Sequence, residues 1–149
     1  MRGEPYSLEK TQELAAGLAK KFKAFQQPRV LALVGDLGSG KTTFAAFLAQ
    51  SLGIKRRLLS PTFVISRHYQ FEIKKQTFTL FHLDLYRLEE SGVKYLGLED
   101  FLNEKNSLLM IEWAEKALDL LPKDTLWINF KYLSPEEREI TFSTIDNIF

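Results

Sequence analysis

The residues best suited to chemistry lie at positions 35–43, where the sequence reads Gly-Asp-Leu-Gly-Ser-Gly-Lys-Thr-Thr. This is the G-x-x-x-x-G-K-T pattern of a phosphate-binding loop (P-loop), whose glycines let successive backbone N–H groups turn inward on a di- or triphosphate. In such a loop Lys41 would reach the β- and γ-phosphates, and the Thr42 hydroxyl would bind Mg²⁺. The pattern predicts a nucleotide site formed by Asp36, Leu37, Gly38, Ser39, Gly40, Lys41, Thr42 and Thr43.

The segments on either side of this loop provide the context that a P-loop requires. Residues 30–34 are a continuous aliphatic run, which predicts a buried strand entering the loop. Phe44, Phe47, Leu48 and Leu52 then recur at helical spacing, which predicts a helix leaving it. The context favours a P-loop over an ordinary glycine-rich turn between a strand and a helix.

Two further apolar runs end in acidic residues. The run at 80–85 carries Asp84 near its end, and the run at 107–112 ends at Glu112. Either acid alone could be a surface carboxylate. With a P-loop in the same chain, we expect both to meet Mg²⁺ or the attacking water beside the phosphates, as a Walker B acid does. The predicted catalytic residues are Lys41, Asp84 and Glu112, and the predicted metal ligands are Thr42, Asp84 and Glu112.

Two threonines outside the loop are further candidates for nucleotide contacts. Thr62, in Ser-Pro-Thr-Phe at 60–63, follows the P-loop helix and is a candidate sensor of the γ-phosphate, unless the segment merely begins a strand. Thr11 lies near the start of a first helix that leads into the P-loop strand. It is a candidate donor to the nucleotide base, with an exposed threonine as the alternative.

The order of predicted elements indicates an α/β protein of the P-loop NTPase type, as one domain over residues 1–149. Ser7 is placed to cap a helix that runs to about Phe25. Alternating apolar residues predict antiparallel hairpins at 63–71 with 77–85, joined by a polar connection at 72–76, and at 124–133 with 138–145. We therefore expect a mixed sheet with a parallel core, two antiparallel hairpins and flanking helices.

Composition points to a soluble cytoplasmic protein. The chain has no cysteine, no apolar segment at its N-terminus and no run of the roughly 18–20 apolar residues that a membrane span needs. A net charge of +1 argues against binding nucleic acid by charge alone.

The charge is nevertheless unevenly distributed. Residues 84–119 carry nine acids against four bases. Residues 55–75 carry six bases against one acid, Glu72, and the bases are Lys55, Arg56, Arg57, Arg67, Lys74 and Lys75. This basic segment is either an ordinary solvated surface or a patch that faces a partner or RNA.

The P-loop, Ser-Pro-Thr-Phe at 60–63, His-Leu-Asp-Leu-Tyr-Arg-Leu at 82–88 and Ile-Glu-Trp at 111–113 together resemble the TsaE (YjeE) family of small bacterial ATPases. The sequence departs from the family's usual residues at Ser39, where Ala is common, and at Phe63, where Tyr is frequent. Neither change affects a group that would touch phosphate or metal.

The resemblance implies a Mg²⁺-dependent ATPase that supports formation of threonylcarbamoyladenosine, next to the anticodon of tRNAs reading codons that begin with A. The expected partner is a TsaD–TsaB complex, with tRNA contacted indirectly through it, and a separate enzyme makes the threonylcarbamoyl-adenylate donor. The resemblance assigns the phosphates to residues 36–43, the metal to Thr42 and Glu112, the Walker B-like role to Asp84 and a switch role to Thr62. Contacts to the base would come from Thr11 and Arg138.

Two other functions compete with this one. A small nucleoside or nucleotide kinase is the alternative, but such kinases need an arginine-rich lid, and residues 114–131 contain no arginine. A GTP-dependent switch would need the guanine-reading Asn-Lys-x-Asp motif, which the sequence lacks. Adenine is therefore the expected base.

Overall fold

The secondary structure alternates between strands and helices, as the sequence predicts. The computed structural model describes residues 4–59 and 65–144. The α-helices in these residues are α1 Leu8–Phe25, α2 Lys41–Ser51, α3 Glu90–Val93 and α4 Leu98–Asn103, and a 3₁₀ helix covers Ala114–Leu120. The strands are β1 Pro5–Tyr6, β2 Val30–Val34, β3 Ser66–Ile73, β4 Gln76–Asp84, β5 Ser107–Glu112, β6 Leu126–Ser134 and β7 Glu137–Ser143.

The strands form one mixed sheet in the order β1-β7-β6-β2-β5-β4-β3. The four central strands, β6, β2, β5 and β4, run parallel to one another. Strand β3 is antiparallel to β4 at one side, and β7 is antiparallel to β6 at the other. The predicted parallel core with two antiparallel hairpins is confirmed. The short strand β1, which pairs with β7, was not predicted.

Apolar side chains on both faces of the sheet make two cores. The first core lies on the face of the sheet that α1 and α2 cover. It contains Ala15 and Phe22 of α1 and Phe44 and Leu48 of α2, which pack with buried residues of the strands. The second core lies on the other face of the sheet. It contains Val93 of α3, Leu98 of α4 and Ala114 of the 3₁₀ helix, which pack with buried residues of the strands. Every residue of β5 is buried, which is the reason that its sequence is an uninterrupted apolar run before Glu112.

Helix α1 begins where the sequence predicts, because the Ser7 hydroxyl accepts a hydrogen bond from the Lys10 N–H at 3.1 Å. Thr11 is buried, so the alternative of an exposed threonine is wrong. Its hydroxyl donates to the Ser7 carbonyl at 2.7 Å, which satisfies the polar group inside the helix. Thr11 belongs to the buried stripe that also contains Ala15, Ala19 and Phe22.

The first hairpin is tighter than predicted. Strands β3 and β4 continue to Ile73 and Gln76, so the turn consists of Lys74 and Lys75 alone. Both residues have positive φ, 49° and 68°. Positive φ at both positions gives a two-residue turn the same twist as the strands that it joins. The predicted start of this hairpin at Phe63 lies outside the described residues, and so does Thr62.

No helix in the described part of the chain is long and apolar enough to cross a membrane.

Candidate active site

The P-loop joins the end of β2 to the start of α2 in a path that only glycine allows at two positions. Gly35 lies so close to the β6 backbone that a Cβ there would overlap the carbonyl oxygen of Phe130. Gly40 has a φ of 108°, in the left-handed region, and an added Cβ would lie 3.4 Å from Nε of Arg138. The glycines therefore let the loop run close to β6 and β7 without steric overlap.

Helix α2 begins at the loop without a side-chain cap. Gly40 is its N-cap and has no side chain to accept from the first-turn N–H groups. These groups have no intrahelical partners, and they carry the positive end of the helix dipole. An anion at this position would satisfy them, as in other phosphate-binding helix starts.

The Lys41 side chain folds back onto the loop. It is buried, and its ammonium group donates to the carbonyl of Gly35 and, at 2.9 Å, to that of Asp36. The Nζ atom also lies 4.5 Å from the centroid of the Trp113 ring. Burial lowers the pKa of Lys41, against the opposing pull of nearby carboxylates, Glu112 foremost. The charge on Lys41 is thus incompletely compensated, and an incoming phosphate would supply the missing negative charge.

Thr42 and Glu112 are in direct contact. The Thr42 hydroxyl, in the first turn of α2, donates to Glu112 Oε1 at 2.8 Å. The register of the sheet explains the contact, since Leu33 near the end of β2 lies beside Glu112 at the end of β5. The other oxygen, Glu112 Oε2, lies 2.6 Å from Nε2 of His82, a fully buried residue of β4.

Asp84 ends β4 beside Glu112, which is its register partner in the parallel pair. The carboxylate is buried and accepts a hydrogen bond of 2.9 Å from the N–H of Tyr86. A hydroxyl and two carboxylates are the oxygen ligands that Mg²⁺ prefers, with phosphate and water completing the shell. The described residues contain no group of three His, Cys, Asp or Glu side chains that could hold a metal without such help. This set of donors fits Mg²⁺ that arrives with a nucleotide.

Arg138 brings a further positive charge to the loop from β7. It is 9% exposed, and its Nη1 atom is buried with no hydrogen-bond partner among the described residues. A buried guanidinium N–H without an acceptor is costly, which is expected where a ligand supplies the acceptor.

These side chains line one cleft of about 240 Å³. Its aromatic wall is formed by Tyr86 and Trp113, whose ring centroids are 5.1 Å apart. Trp113 has a φ of 58°, which turns the chain directly after Glu112. The complete lining is Leu37, Gly38, Gly40, Lys41, Thr42, Thr43, Asp84, Tyr86, Glu112, Trp113 and Arg138.

The structure thus brings together most of the residues that the sequence singled out. Asp36 and Ser39 belong to the loop, and the Ser39 hydroxyl is buried without a partner among the described residues. Thr11 does not line this cleft, and Thr62 lies outside the described residues, so their contacts to the base and the γ-phosphate stay predictions. Sequence reasoning gave no role to His82, Tyr86 or Trp113, although each lies one or two residues from a predicted acid.

Sequence comparison gives the relationship of the chain to known proteins. Residues 6–140 match the family model of "Threonylcarbamoyl adenosine biosynthesis protein TsaE". The chain is 39% identical over 136 residues to the tRNA threonylcarbamoyladenosine biosynthesis protein TsaE of Bacillus subtilis (strain 168). This alignment covers 91% of this chain and 82% of that protein. It is 40% identical over 105 residues to the TsaE protein of Borreliella burgdorferi, covering 69% and 73% of the two chains.

The fold agrees with this relationship. The crystal structure of Bacillus subtilis YdiB superposes with a TM-score of 0.67 at 35% identity, over 90% of this chain and 80% of that one. The family match contains the loop, both strand-end acids and Arg138. The chain therefore belongs to the TsaE family of tRNA threonylcarbamoyladenosine biosynthesis proteins.

Proposed function

We propose that the protein is a Mg²⁺-dependent ATPase that acts with a TsaD–TsaB complex in forming threonylcarbamoyladenosine in tRNA. The observation that carries the proposal is the contact between Thr42 of the P-loop and Glu112, beside Asp84, in a single cleft. A P-loop hydroxyl and a strand-end carboxylate that meet in this way are the protein groups that a metal-bound triphosphate requires.

Different groups in the cleft would bind different parts of the nucleotide. The loop N–H groups and the start of α2 would hold the phosphate oxygens, and Lys41 would exchange the carbonyls of Gly35 and Asp36 for the β- and γ-phosphates. Arg138 lines the cleft from β7, and its guanidinium would donate to the nucleotide from that side. Each of these contacts satisfies a group that the protein alone leaves without full compensation.

The two carboxylates would serve the chemical step. Mg²⁺, when bound, would neutralise charge that builds on the transferred phosphoryl group. Thr42 and Glu112 would hold the metal on one side, and Asp84 lies beside Glu112 at the same edge of the sheet. A carboxylate at this position can orient the attacking water or a metal-bound water, and we assign that role to Asp84 or Glu112.

A single-turnover experiment tests this proposal against the kinase alternative. Excess protein is mixed with Mg²⁺ and γ-labelled ATP, with and without a panel of nucleosides and nucleoside monophosphates, and the fate of the label is followed. We expect the label to appear as inorganic phosphate whether or not an acceptor is present, and to remain on ATP in the Lys41→Ala variant. Transfer of the label to an acceptor without release of inorganic phosphate would establish a kinase instead.

A further inference from the structure

His82 holds the carboxylate of Glu112 from inside the protein. Its Nε2 atom lies 2.6 Å from Glu112 Oε2, and both side chains are almost completely buried. His82 shares one face of β4 with Asp84, since the two are separated by one residue in the strand. His82 is fully buried and is not among the residues that line the cleft, so it can act on the cleft only through Glu112.

The other nitrogen of the ring defines the direction of this hydrogen bond. Nδ1 of His82 is buried and has no hydrogen-bond partner among the described residues. A proton on Nδ1 would therefore be an orphaned donor, which is costly in a buried position. With the ring proton on Nε2, His82 donates to Glu112 Oε2 and leaves no unpartnered N–H at Nδ1.

The two oxygens of Glu112 consequently have separate partners. Oε2 accepts from His82 on the buried side, and Oε1 accepts from Thr42 on the side of the cleft. With Oε2 engaged, rotation of the carboxylate about its terminal bond would break a short buried hydrogen bond. Oε1 is thus kept facing the position where Thr42 would hold Mg²⁺.

We infer that His82 is a positioning residue for the metal: it fixes the Glu112 carboxylate so that Oε1 faces the metal site. The inference rests on the proposed function, because it assumes that Glu112 contributes to holding Mg²⁺ with a nucleotide. Removing a hydrogen-bond partner of a metal-ligating side chain typically lowers metal affinity by about 10- to 100-fold. The same loss is expected here.

Binding of Mn²⁺ to the ADP complex, followed by electron paramagnetic resonance, tests this role without turnover. We expect His82→Leu to weaken Mn²⁺ binding by about 10- to 100-fold and His82→Gln, which can place an amide N–H near the position of Nε2, to restore most of it. ADP affinity in EDTA should equal that of the wild-type protein, because His82 does not reach the nucleotide. In a Glu112→Gln background, His82→Leu should cause no further loss.

A merely structural role gives a different result. It would lower the unfolding temperature of His82→Leu while leaving its Mn²⁺ affinity within about twofold of wild type, and this would overturn the inference. If His82→Leu does not fold, His82→Asn replaces it, since its shorter amide cannot reach Glu112 Oε2. Equal Mn²⁺ affinities of the Asn and Gln variants would then overturn the inference. Wild-type protein that binds no Mn²⁺ in the presence of ADP would overturn the proposed function as well.

Discussion

Thr42 and Glu112 are 70 positions apart in sequence, and their side chains are joined by a hydrogen bond of 2.8 Å from the threonine hydroxyl to Oε1 of the carboxylate. Parallel pairing of β2 with β5 produces the contact, because it delivers the P-loop and the acid to the same edge of the sheet. In the protein alone the two groups satisfy each other. A cation bound between them would take both oxygens as ligands, so this contact marks the expected metal position.

Neutralising either carboxylate should impair hydrolysis more than nucleotide binding. We expect Glu112→Gln and Asp84→Asn each to lower the single-turnover rate of ATP hydrolysis by about 100-fold or more, since these charges act mainly on the transition state. ATP affinity, measured by calorimetry, should fall less. A rate within about twofold of wild type for either variant would remove that acid from the mechanism.

Lys41→Met should separate binding from folding. The variant keeps a side chain of similar length but lacks the ammonium group, whose pKa is lowered by burial. Because the variant no longer buries a charge, we expect its unfolding temperature without nucleotide to be unchanged or raised. Nucleotide binding should be lost, because the phosphates lose their ammonium partner. Lys21→Met, on the exposed side of α1, is the matched control and should bind ATP normally. Wild-type ATP affinity in Lys41→Met would contradict the P-loop assignment.

Arg138 should contribute to nucleotide affinity from β7. We expect Arg138→Met to weaken ADP binding by about 10- to 100-fold, the range expected for a lost hydrogen bond to a charged group, and Arg138→Lys to weaken it less. Thermal unfolding of the nucleotide-free variants should show little loss, because Nη1 has no partner in the described protein to lose. Unchanged ADP affinity in Arg138→Met would show that the guanidinium serves only the fold.

We predict that Lys55, Arg56, Arg57 and Arg67, within the basic segment at 55–75, form part of the surface that contacts the TsaD–TsaB complex or its tRNA. Lys55, Arg56 and Arg57 are exposed, and the Arg56 guanidinium lies 5.3 Å from the centroid of the Tyr69 ring. We expect the double reversal Arg56→Glu and Arg57→Glu to weaken stimulation of hydrolysis by the complex and to flatten its dependence on salt, since long-range attraction is screened by ions. ATP binding by the protein alone should survive.

A second double reversal provides the control for that experiment. Lys20 and Lys21 are also adjacent and exposed, but they lie on α1. Reversing them changes the net charge by the same amount. Equal loss of stimulation in both double variants would mean that overall charge matters, and full stimulation of the Arg56 and Arg57 variant at low and high salt would leave 55–57 an ordinary solvated surface.

Much of this site could be predicted from sequence because its residues occur at the ends of strands. The P-loop has a fixed spacing, and Asp84 and Glu112 follow apolar runs that become neighbouring parallel strands. The burial of Thr11 could also be predicted from sequence, since Thr11, Ala15 and Ala19 are spaced to lie along one face of α1.

Other features depend on pairing that a single sequence does not specify. The role of His82 follows from the register that places β4 beside β5, and its apolar neighbours in sequence give no sign of a buried carboxylate partner. Arg138 reaches Gly40 only because β7 folds back along β6 next to the loop. Strand β1 is two residues long, which is too short to show an alternating pattern.

The proposed activity is tested most directly by measuring ATP hydrolysis by the purified protein alone and then with a purified TsaD–TsaB complex, in each case with Mg²⁺ and with EDTA. We predict slow release of inorganic phosphate by the protein alone, clear stimulation by TsaD–TsaB, and loss of both activities in EDTA and in the Glu112→Gln variant. Metal-independent hydrolysis, or a rate that TsaD–TsaB leaves unchanged, would contradict the proposal of a Mg²⁺-dependent ATPase that acts with this complex.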